Sequence, residues 1–294
     1  MVTVISAIIA AVLGILIGLF LTFLFKHIPE AWLQDYDYDP KAPNHRPAKR
    51  MKIVPHGIFA GLFCAVFYVA SVIFFPDLVD MVMPIHIIAI VVIVPVLFLV
   101  LISDKLNRII PDQFWILILI FGFILLASDY LEGTMWFTIE APWFAPLVNR
   151  LGGAIVGGGV IFLIGFIGEM ITSKEAMGQG DMKLLAACGM CTGLYGLVVL
   201  VYVSVIIGVL FAIPLLVRKQ KRLKEEREYI ENHENPIVAK MELKLKKEEM
   251  HYAEDPDYLA FGPFIAIGTG VFLALEPVFY HVLFQYMVTF GVYF

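Results

Sequence analysis

Charge and cysteine are both scarce in this chain. Asp, Glu, Lys and Arg make up 16% of its 294 residues, against 60% hydrophobic residues, and the mean hydropathy is +0.86. This composition excludes an ordinary soluble globular protein, and no basic face is patterned for nucleic acid. The three cysteines are too few for a zinc site of two Cys-x-x-Cys pairs. Cys188 and Cys191 form one such pair inside an apolar run, so we interpret them as small packing residues.

Apolar runs near the length needed to cross a bilayer, in contrast, recur along the whole chain. The predicted spans are 4–25, 57–75, 84–103, 113–128, 151–172, 195–217 and 261–290. A shorter apolar helix at 183–193 is predicted to pair with the span that follows, across a turn from Gly193 to Gly196. The sequence therefore predicts a single all-α polytopic membrane domain over 1–294, with seven or eight transmembrane helices.

The first span lacks a basic region before it and a small-residue cleavage site after it. It is therefore predicted to be a retained anchor and not a cleaved signal. Gly14 and Gly18 form a G-x-x-x-G pattern in this span, which favours close packing against another helix.

Lys and Arg are missing from alternate connections. Neither residue occurs in 76–83 or 129–149. Both occur in 26–56, 104–112 and 218–257, and Lys alone occurs in 173–183. The positive-inside rule therefore predicts an N-terminus outside the cell and these basic connections in the cytoplasm. The segment 218–257 is predicted to be a charged cytoplasmic insertion, either a solvated helical hairpin or a partner-binding arm.

Two aspartates at predicted membrane boundaries are the main candidates for chemistry. Asp181 follows Gly178-Gln179-Gly180, and such glycines allow another chain to approach the backbone closely. Asp104 lies at the C-terminal end of the predicted helix 84–103, where the helix dipole disfavours a carboxylate. A residue that breaks a local rule without structural benefit is a candidate for function. Two such aspartates in one membrane protein suggest proteolysis.

The helix ends also suggest a role for each carboxylate. Asp181 begins a helix, so we expect it to be the ionised base that activates a water. Asp104 would then be the acid that polarises the scissile carbonyl. A third aspartate, Asp112, follows Pro111 and is predicted to be the N-cap of the helix 113–128.

Four motifs in the chain resemble those of the type IV prepilin peptidases, which are membrane aspartic proteases of the G-x-G-D type. The motifs are the opening helix 13–18 with the basic turn 26–29, the run Asp104–Asp112, the run Thr172–Ala187, and Phe261–Phe264 with Gly268. They occur in the family's order and on the expected sides of the membrane.

This resemblance implies a specific function. Enzymes of this family cleave the short basic leader of prepilins and pseudopilins after a glycine, at the cytoplasmic face of the bacterial cytoplasmic membrane. The catalytic pair would be Asp104 and Asp181, and cleavage needs no metal. Supporting roles are predicted for Gly178, Gly180 and Lys183, and contacts with the substrate are predicted for Glu175, Arg108 and Asp112.

The first cytoplasmic loop, 26–56, departs from the family. Its members usually carry two Cys-x-x-Cys pairs there, interpreted as a zinc site, and many also methylate the new N-terminus with S-adenosylmethionine. This loop contains no cysteine, so zinc is not expected, and S-adenosylmethionine is expected only if that second activity is retained. Its acidic cluster, Asp35, Asp37 and Asp39, is hypothesised to meet the basic leader of a substrate.

Three alternatives remain open from the sequence. A related G-x-G-D protease could act on other membrane preproteins, and a catalytically silent scaffold could serve a secretion machine. An ion-coupled transporter would bind cations at broken helices, and it predicts internal repeats and acidic residues near the bilayer midplane. No internal repeat is found, and both candidate aspartates lie at a predicted membrane boundary. The expected partners are prepilin or pseudopilin substrates and the lipid bilayer, not nucleic acid. The sequence fixes neither the exact substrate nor the oligomeric state.

Overall fold

The structure is a computed structural model that describes most of the chain. The described residues are 2–34, 39, 41, 46–75, 80, 82–134, 136–137, 141–172, 178–233, 235–248 and 259–289. They form α1 (Val2–His27), α2 (Ile58–Phe74), α3 (Pro84–Asn107), α4 (Asp112–Leu131), α5 (Ala145–Thr172), α6 (Gln179–Asn232), α7 (Pro236–Glu248) and α8 (Gly262–Thr289). This part of the chain contains no strand.

The predicted membrane spans are confirmed as helices. All of the eight except α7 are long and apolar enough to cross a membrane, which makes seven candidate spans. Helices α3 and α8 are the most deeply buried of them, and α3 packs against α2, α4 and α8. Helix α3 therefore lies at the centre of a multi-pass membrane bundle, and other helices pack around it.

Glycines set the closest helix contacts in the bundle. A Cβ atom at Gly14 would lie 2.5 Å from the Cα of Ala65, and one at Gly18 would collide with the backbone of Gly61. The predicted close-packing face of the first helix is therefore confirmed, and its partner is α2. Helices α5 and α6 approach in the same way through Gly153 and Gly189.

Helix α6 is broken at Gly193, within the turn that the sequence predicts. Gly193 has φ 69° and ψ 179°, a conformation that is almost restricted to glycine. Immediately after the break, the N–H of Leu194 donates to Oδ1 of Asn149 at 2.8 Å. The short apolar helix and the following span are thus two helical halves, 179–192 and 194–232, that meet at one glycine.

The described part of the charged segment is mostly helical, as the sequence predicts. Helix α6 continues to Asn232, and α7 follows within four residues. Tyr229 donates a hydrogen bond of 3.0 Å to Glu242, which ties the two helices together. Most of their side chains are exposed, so their ion pairs contribute only about 0.5 kcal/mol each.

The first loop is fastened to the end of α3. The N–H of Lys49 donates to Oδ1 of Asn107 at 2.8 Å, and Nδ2 of Asn107 donates to the carbonyl of Lys49 at 3.2 Å. Glu30 closes the loop from the other side by accepting hydrogen bonds from Gln34, Arg50 and the backbone of Ala48. In the predicted acidic cluster, Asp35 and Asp37 lie outside the described residues.

The conformation of Gly193 leads to a prediction about stability. Replacing Gly193 with Ala should lower the thermal unfolding midpoint of the detergent-purified protein, because the left-handed backbone alone costs about 1–3 kcal/mol. The added Cβ would also collide with the Asn149 side chain. The matched control is Gly159→Ala in α5, where a Cβ meets no atom within 4 Å. Equal midpoints for the two variants would contradict the prediction.

Candidate active site

Asp104 lies in the last turn of α3 and is 5% exposed. The helix ends at Asn107, and Arg108 takes a left-handed conformation with φ 59° and ψ 28°. The N–H of Arg108 donates to the carbonyl of Asp104 at 2.9 Å, which closes this helix end. The position of Asp104 at a helix C-terminus, expected from the sequence, is therefore confirmed.

Asp181 lies in the first turn of α6 and is 9% exposed. Gly178 is the N-cap residue, and its carbonyl accepts a hydrogen bond of 3.1 Å from the N–H of Asp181. The carboxylate thus lies at the positive end of the helix dipole. A Cβ at Gly178 would be 3.8 Å from Oδ2 of Asp181, so this glycine leaves the backbone close to the carboxylate.

The two carboxylates come together where α3 ends and α6 begins. Asp104 is close enough for its charge to act on Asp181. Ile110, in the turn after α3, lies beside both motifs: a Cβ at Gly180 would be 3.4 Å from its Cβ, and one at Gly262 would be 3.0 Å from its Cδ1. The turn 108–111 therefore joins the two aspartate motifs and the start of α8.

Gly262 contacts the Asp104 carboxylate directly. Its backbone N–H lies beside that carboxylate, and a Cβ added at Gly262 would lie 2.6 Å from Oδ2 of Asp104. The sequence identifies the motif around Gly262 but not this contact. The signal in the sequence is a glycine followed by a proline at the start of a helix. This pattern indicates that another group approaches the backbone closely, but it does not identify that group.

One oxygen of Asp104 has no hydrogen-bond partner. Within the described part of the chain, Oδ2 of Asp104 is buried and accepts no hydrogen bond. Unsatisfied buried polar atoms cost free energy and are uncommon, so each requires an explanation. The positive charge of Arg108 lies close enough to act on this carboxylate. Asp104 is thus a buried carboxylate with capacity left for a proton or another donor.

Asp112 does not cap α4, so that prediction is wrong. Pro111 occupies the N-cap position and Asp112 is already the first helical residue. Its Oδ1 accepts hydrogen bonds from Nε1 of Trp115 at 2.7 Å and from Nζ of Lys183 at 3.0 Å. The Asp112 carboxylate thus pairs with an ammonium of α6, and such a charge-assisted hydrogen bond is stronger than one from a backbone N–H.

This salt bridge defines the contacts of Lys183. The pair with Asp112 connects α4 to α6 two residues beyond Asp181, and Nζ of Lys183 also lies 5.7 Å from the centroid of the Trp115 ring. Lys183 therefore fixes the first turn of α6 against α4. The substrate contacts predicted for Asp112 and Arg108 stay predictions, and Glu175 lies outside the described residues.

The cysteines contribute no metal site in the part of the chain that is described. Cys64, Cys188 and Cys191 are all buried, and Sγ of Cys191 donates to the carbonyl of Ile118 at 3.3 Å. No group of three or more His, Cys, Asp or Glu side chains among the described residues could hold a metal ion.

The fold is that of a multi-pass membrane protein. Its candidate site contains two buried aspartates, one in the last turn of α3 and one in the first turn of α6. Residues 91–213 match the sequence model of the type IV leader peptidase family, and both Asp104 and Asp181 lie in this range. Over this segment the chain is similar to that family, and two of the four motifs, Asp104–Asp112 and Thr172–Ala187, lie within the matched range.

Three relatives named prepilin leader peptidase/N-methyltransferase illustrate the similarity. The chain is 40% identical over 76 residues to the protein of Neisseria gonorrhoeae, covering 26% of the chain and 27% of the relative. The corresponding values are 36% over 73 residues for Aeromonas salmonicida, covering 25% of each chain, and 32% over 113 residues for Xanthomonas campestris pv. campestris, covering 38% and 35%.

The chain thus spans only about a quarter to a third of the length of these relatives in the matched regions. No solved structure matches the chain.

The contact at Gly262 leads to a prediction about activity. Gly262→Ala should reduce the leader-peptide cleavage that is proposed below about 100-fold. The new methyl group must displace the Asp104 carboxylate, and a displacement of about 1 Å costs that much in catalysis. Cleavage of a leader peptide by the purified variant would be the measurement. Gly159→Ala serves again as the control with room for a Cβ. Wild-type activity in Gly262→Ala would show that this contact does not position Asp104.

Proposed function

We propose that this protein is a prepilin leader peptidase, an aspartic endopeptidase that removes the basic leader of prepilins or pseudopilins after a glycine. The observation that carries the proposal is the meeting of two buried carboxylates, Asp104 and Asp181, within the segment that matches the type IV leader peptidase family. The names of the relatives supply the class of substrate.

The proposed reaction uses a water bound between the two carboxylates. One carboxylate takes a proton from the water, the water oxygen adds to the scissile carbonyl, and the protonated partner donates to the carbonyl oxygen. The C–N bond then breaks, and the leaving amine takes a proton from the pair. The unpartnered Oδ2 of Asp104 provides an atom that can take part in these transfers.

In the proposed mechanism, Asp104 and Asp181 share one proton, which is not assigned to either residue alone. The argument from helix ends gives the base role to Asp181, but it does not include the groups that lie beside Asp104. These are the N–H of Gly262 and the positive charge of Arg108. Two interacting carboxylates also titrate as a pair, so the coupled description is the physically appropriate one.

The charge distribution supports a site at the cytoplasmic face of a bacterial cytoplasmic membrane. The described connections at the Asp104 end carry Lys and Arg. Among them, Lys49 is bonded to Asn107 at the end of α3, and Arg50 is bonded to Glu30 within the first loop. A leader peptide with basic residues would therefore need acidic partners near the site. The predicted candidates are Glu175 and the cluster of Asp35, Asp37 and Asp39.

The proposal covers peptide cleavage alone. The relatives are also named N-methyltransferases, but the segment matched by the family begins at residue 91 and leaves the first loop, 26–56, outside. S-adenosylmethionine is part of the proposal only if methyl transfer to the new N-terminus is detected.

The dyad is tested by cleavage of a prepilin with a glycine-terminated basic leader. Asp104→Asn and Asp181→Asn should each lower the cleavage rate at least about 100-fold, because each removes a group that transfers protons. Asp112→Asn is the matched control, since it changes an aspartate of the same region that is partly exposed in its salt bridge. That salt bridge is worth about 1 kcal/mol at most, so the control should lose less than about tenfold.

Mass spectrometry would show whether cleavage follows the glycine, and thermal unfolding would show that each variant is folded. If folded Asp104→Asn or Asp181→Asn cuts at the wild-type rate, the proposed dyad is wrong. If the wild type cuts no prepilin, the transporter and scaffold alternatives reopen.

A further inference from the structure

A second group of buried charges lies at the opposite end of the bundle from the aspartate pair. His86 is in the first turn of α3, eighteen residues before Asp104, which corresponds to about 27 Å along the helix axis. Asp129 of α4, Arg150 of α5 and Glu276 of α8 are buried around it. Four helices therefore contribute one titratable side chain each to this region.

Helix α8 is kinked next to Glu276, which is buried. Leu275 has non-helical angles, φ −119° and ψ 16°, and Pro277 removes a backbone donor at the same place. Oε1 of Glu276 accepts a hydrogen bond of 2.6 Å from Nε1 of Trp136, while Oε2 faces His86. Burying a carboxylate in a membrane-spanning helix costs free energy, so the position of Glu276 requires a compensating group.

Two carboxylates of the region are already saturated. Asp129 forms a bidentate pair with Arg150, with Nη2 to Oδ1 at 2.7 Å, and Nη1 of Arg150 donates to the carbonyl of Cys191. Glu132 accepts hydrogen bonds from the backbone N–H groups of Ile85 and His86 at 2.6 and 3.2 Å. The hydrogen-bonding groups of Arg150 and Glu132 are therefore already used within the protein itself.

His86 and Glu276, in contrast, keep unused capacity. His86 is 3% exposed, and within the described residues neither ring nitrogen has a hydrogen-bond partner. Its Nε2 lies 3.9 Å from Oε2 of Glu276, too far for a direct hydrogen bond but close enough for one donor group to reach both atoms. The Phe75 ring, with its centroid 5.1 Å from that of His86, fixes the imidazole beside this gap.

These two side chains line a cavity of about 320 Å³. This volume is within the range of small-molecule sites. Asp129, Glu132, Phe75 and Val82 contribute to the same walls. Three carboxylates face one guanidinium here, and that guanidinium is already paired, so the cavity is selective against anions.

We propose that this cavity binds a small organic cation through its primary ammonium group, which donates hydrogen bonds to Oε2 of Glu276 and to a ring nitrogen of His86. Such a group supplies positive charge to a region with excess carboxylate. It also supplies a donor for the His86 ring, whose nitrogens have no partner among the described residues, and a second donor for Oε2 of Glu276. The aromatic ring of Phe75 offers a further favourable surface to a cation. A free amine and a lipid with an amine headgroup carry the same chemistry, and this inference is independent of the proposed peptidase activity.

Ligand-dependent thermal unfolding tests the proposal. Ethylammonium chloride should raise the unfolding midpoint of the detergent-purified protein in a saturable manner, because a ligand that binds only the folded state stabilises it. Tetramethylammonium chloride at the same ionic strength has no N–H donor and should have at least about tenfold lower apparent affinity, since it forms neither hydrogen bond. Nanodiscs with and without phosphatidylethanolamine, compared without added amine, would distinguish a lipid source from a free amine.

Two variants locate the site. Glu276→Gln removes the charge, and Val82→Trp places a larger side chain on an exposed wall residue of the cavity and leaves the charged residues unchanged. Each variant should weaken ethylammonium binding at least about tenfold. His281→Gln, on the exposed surface of α8, and Asp104→Asn, at the other end of the bundle, should bind like the wild type.

The absence of a saturable shift, or equal shifts with tetramethylammonium, would overturn the proposal. Wild-type affinity in Val82→Trp would do so as well, and this variant decides the question if Glu276→Gln does not fold. Failure of amine binding would leave the cleavage experiment unaffected, because that experiment depends on Asp104 and Asp181.

Discussion

The placement of the C-terminal end of α3 near the N-terminal end of α6 is the arrangement on which the site depends. It brings Asp104 and Asp181 within electrostatic range although 76 residues separate them in the chain. Placing two carboxylates in a poorly solvated region is unfavourable by itself, so the bundle must hold them there. The glycine contacts between α5 and α6, the salt bridge from Asp112 to Lys183 and the start of α8 together provide that restraint.

The sequence predicts the membrane spans, the break near Gly193 and the helix-end position of Asp104, because these follow from local apolar runs, glycines and charges. It does not predict the contact between Gly262 and Asp104, since that contact joins residues from distant helices. The error at Asp112 has the same origin: an N-cap role is the local expectation, whereas the salt bridge with Lys183 depends on packing.

The buried charges at the other end of the bundle show the same limit. Residues such as Asp129 and Glu132 enter the sequence argument only as acidic side chains in a connection without Lys or Arg. Their burial, and the kink of α8 next to Glu276, arise from the packing of four helices. Periodicity identifies which helices cross the membrane, but it does not identify which polar side chains meet between them.

The half-helix 179–192 connects these two ends. Asp181 lies in its first turn, and the carbonyl of Cys191, near its last residue, accepts a hydrogen bond from Arg150. This segment is only about 20 Å long and ends at a glycine break, so it can shift as a rigid unit. Loss of the anchor at Cys191 would therefore change the placement of Asp181 without altering any residue near it. A screen for inactive variants should therefore also find substitutions at the opposite end of the bundle. Their distance from the aspartates would not exclude a direct effect on the position of Asp181.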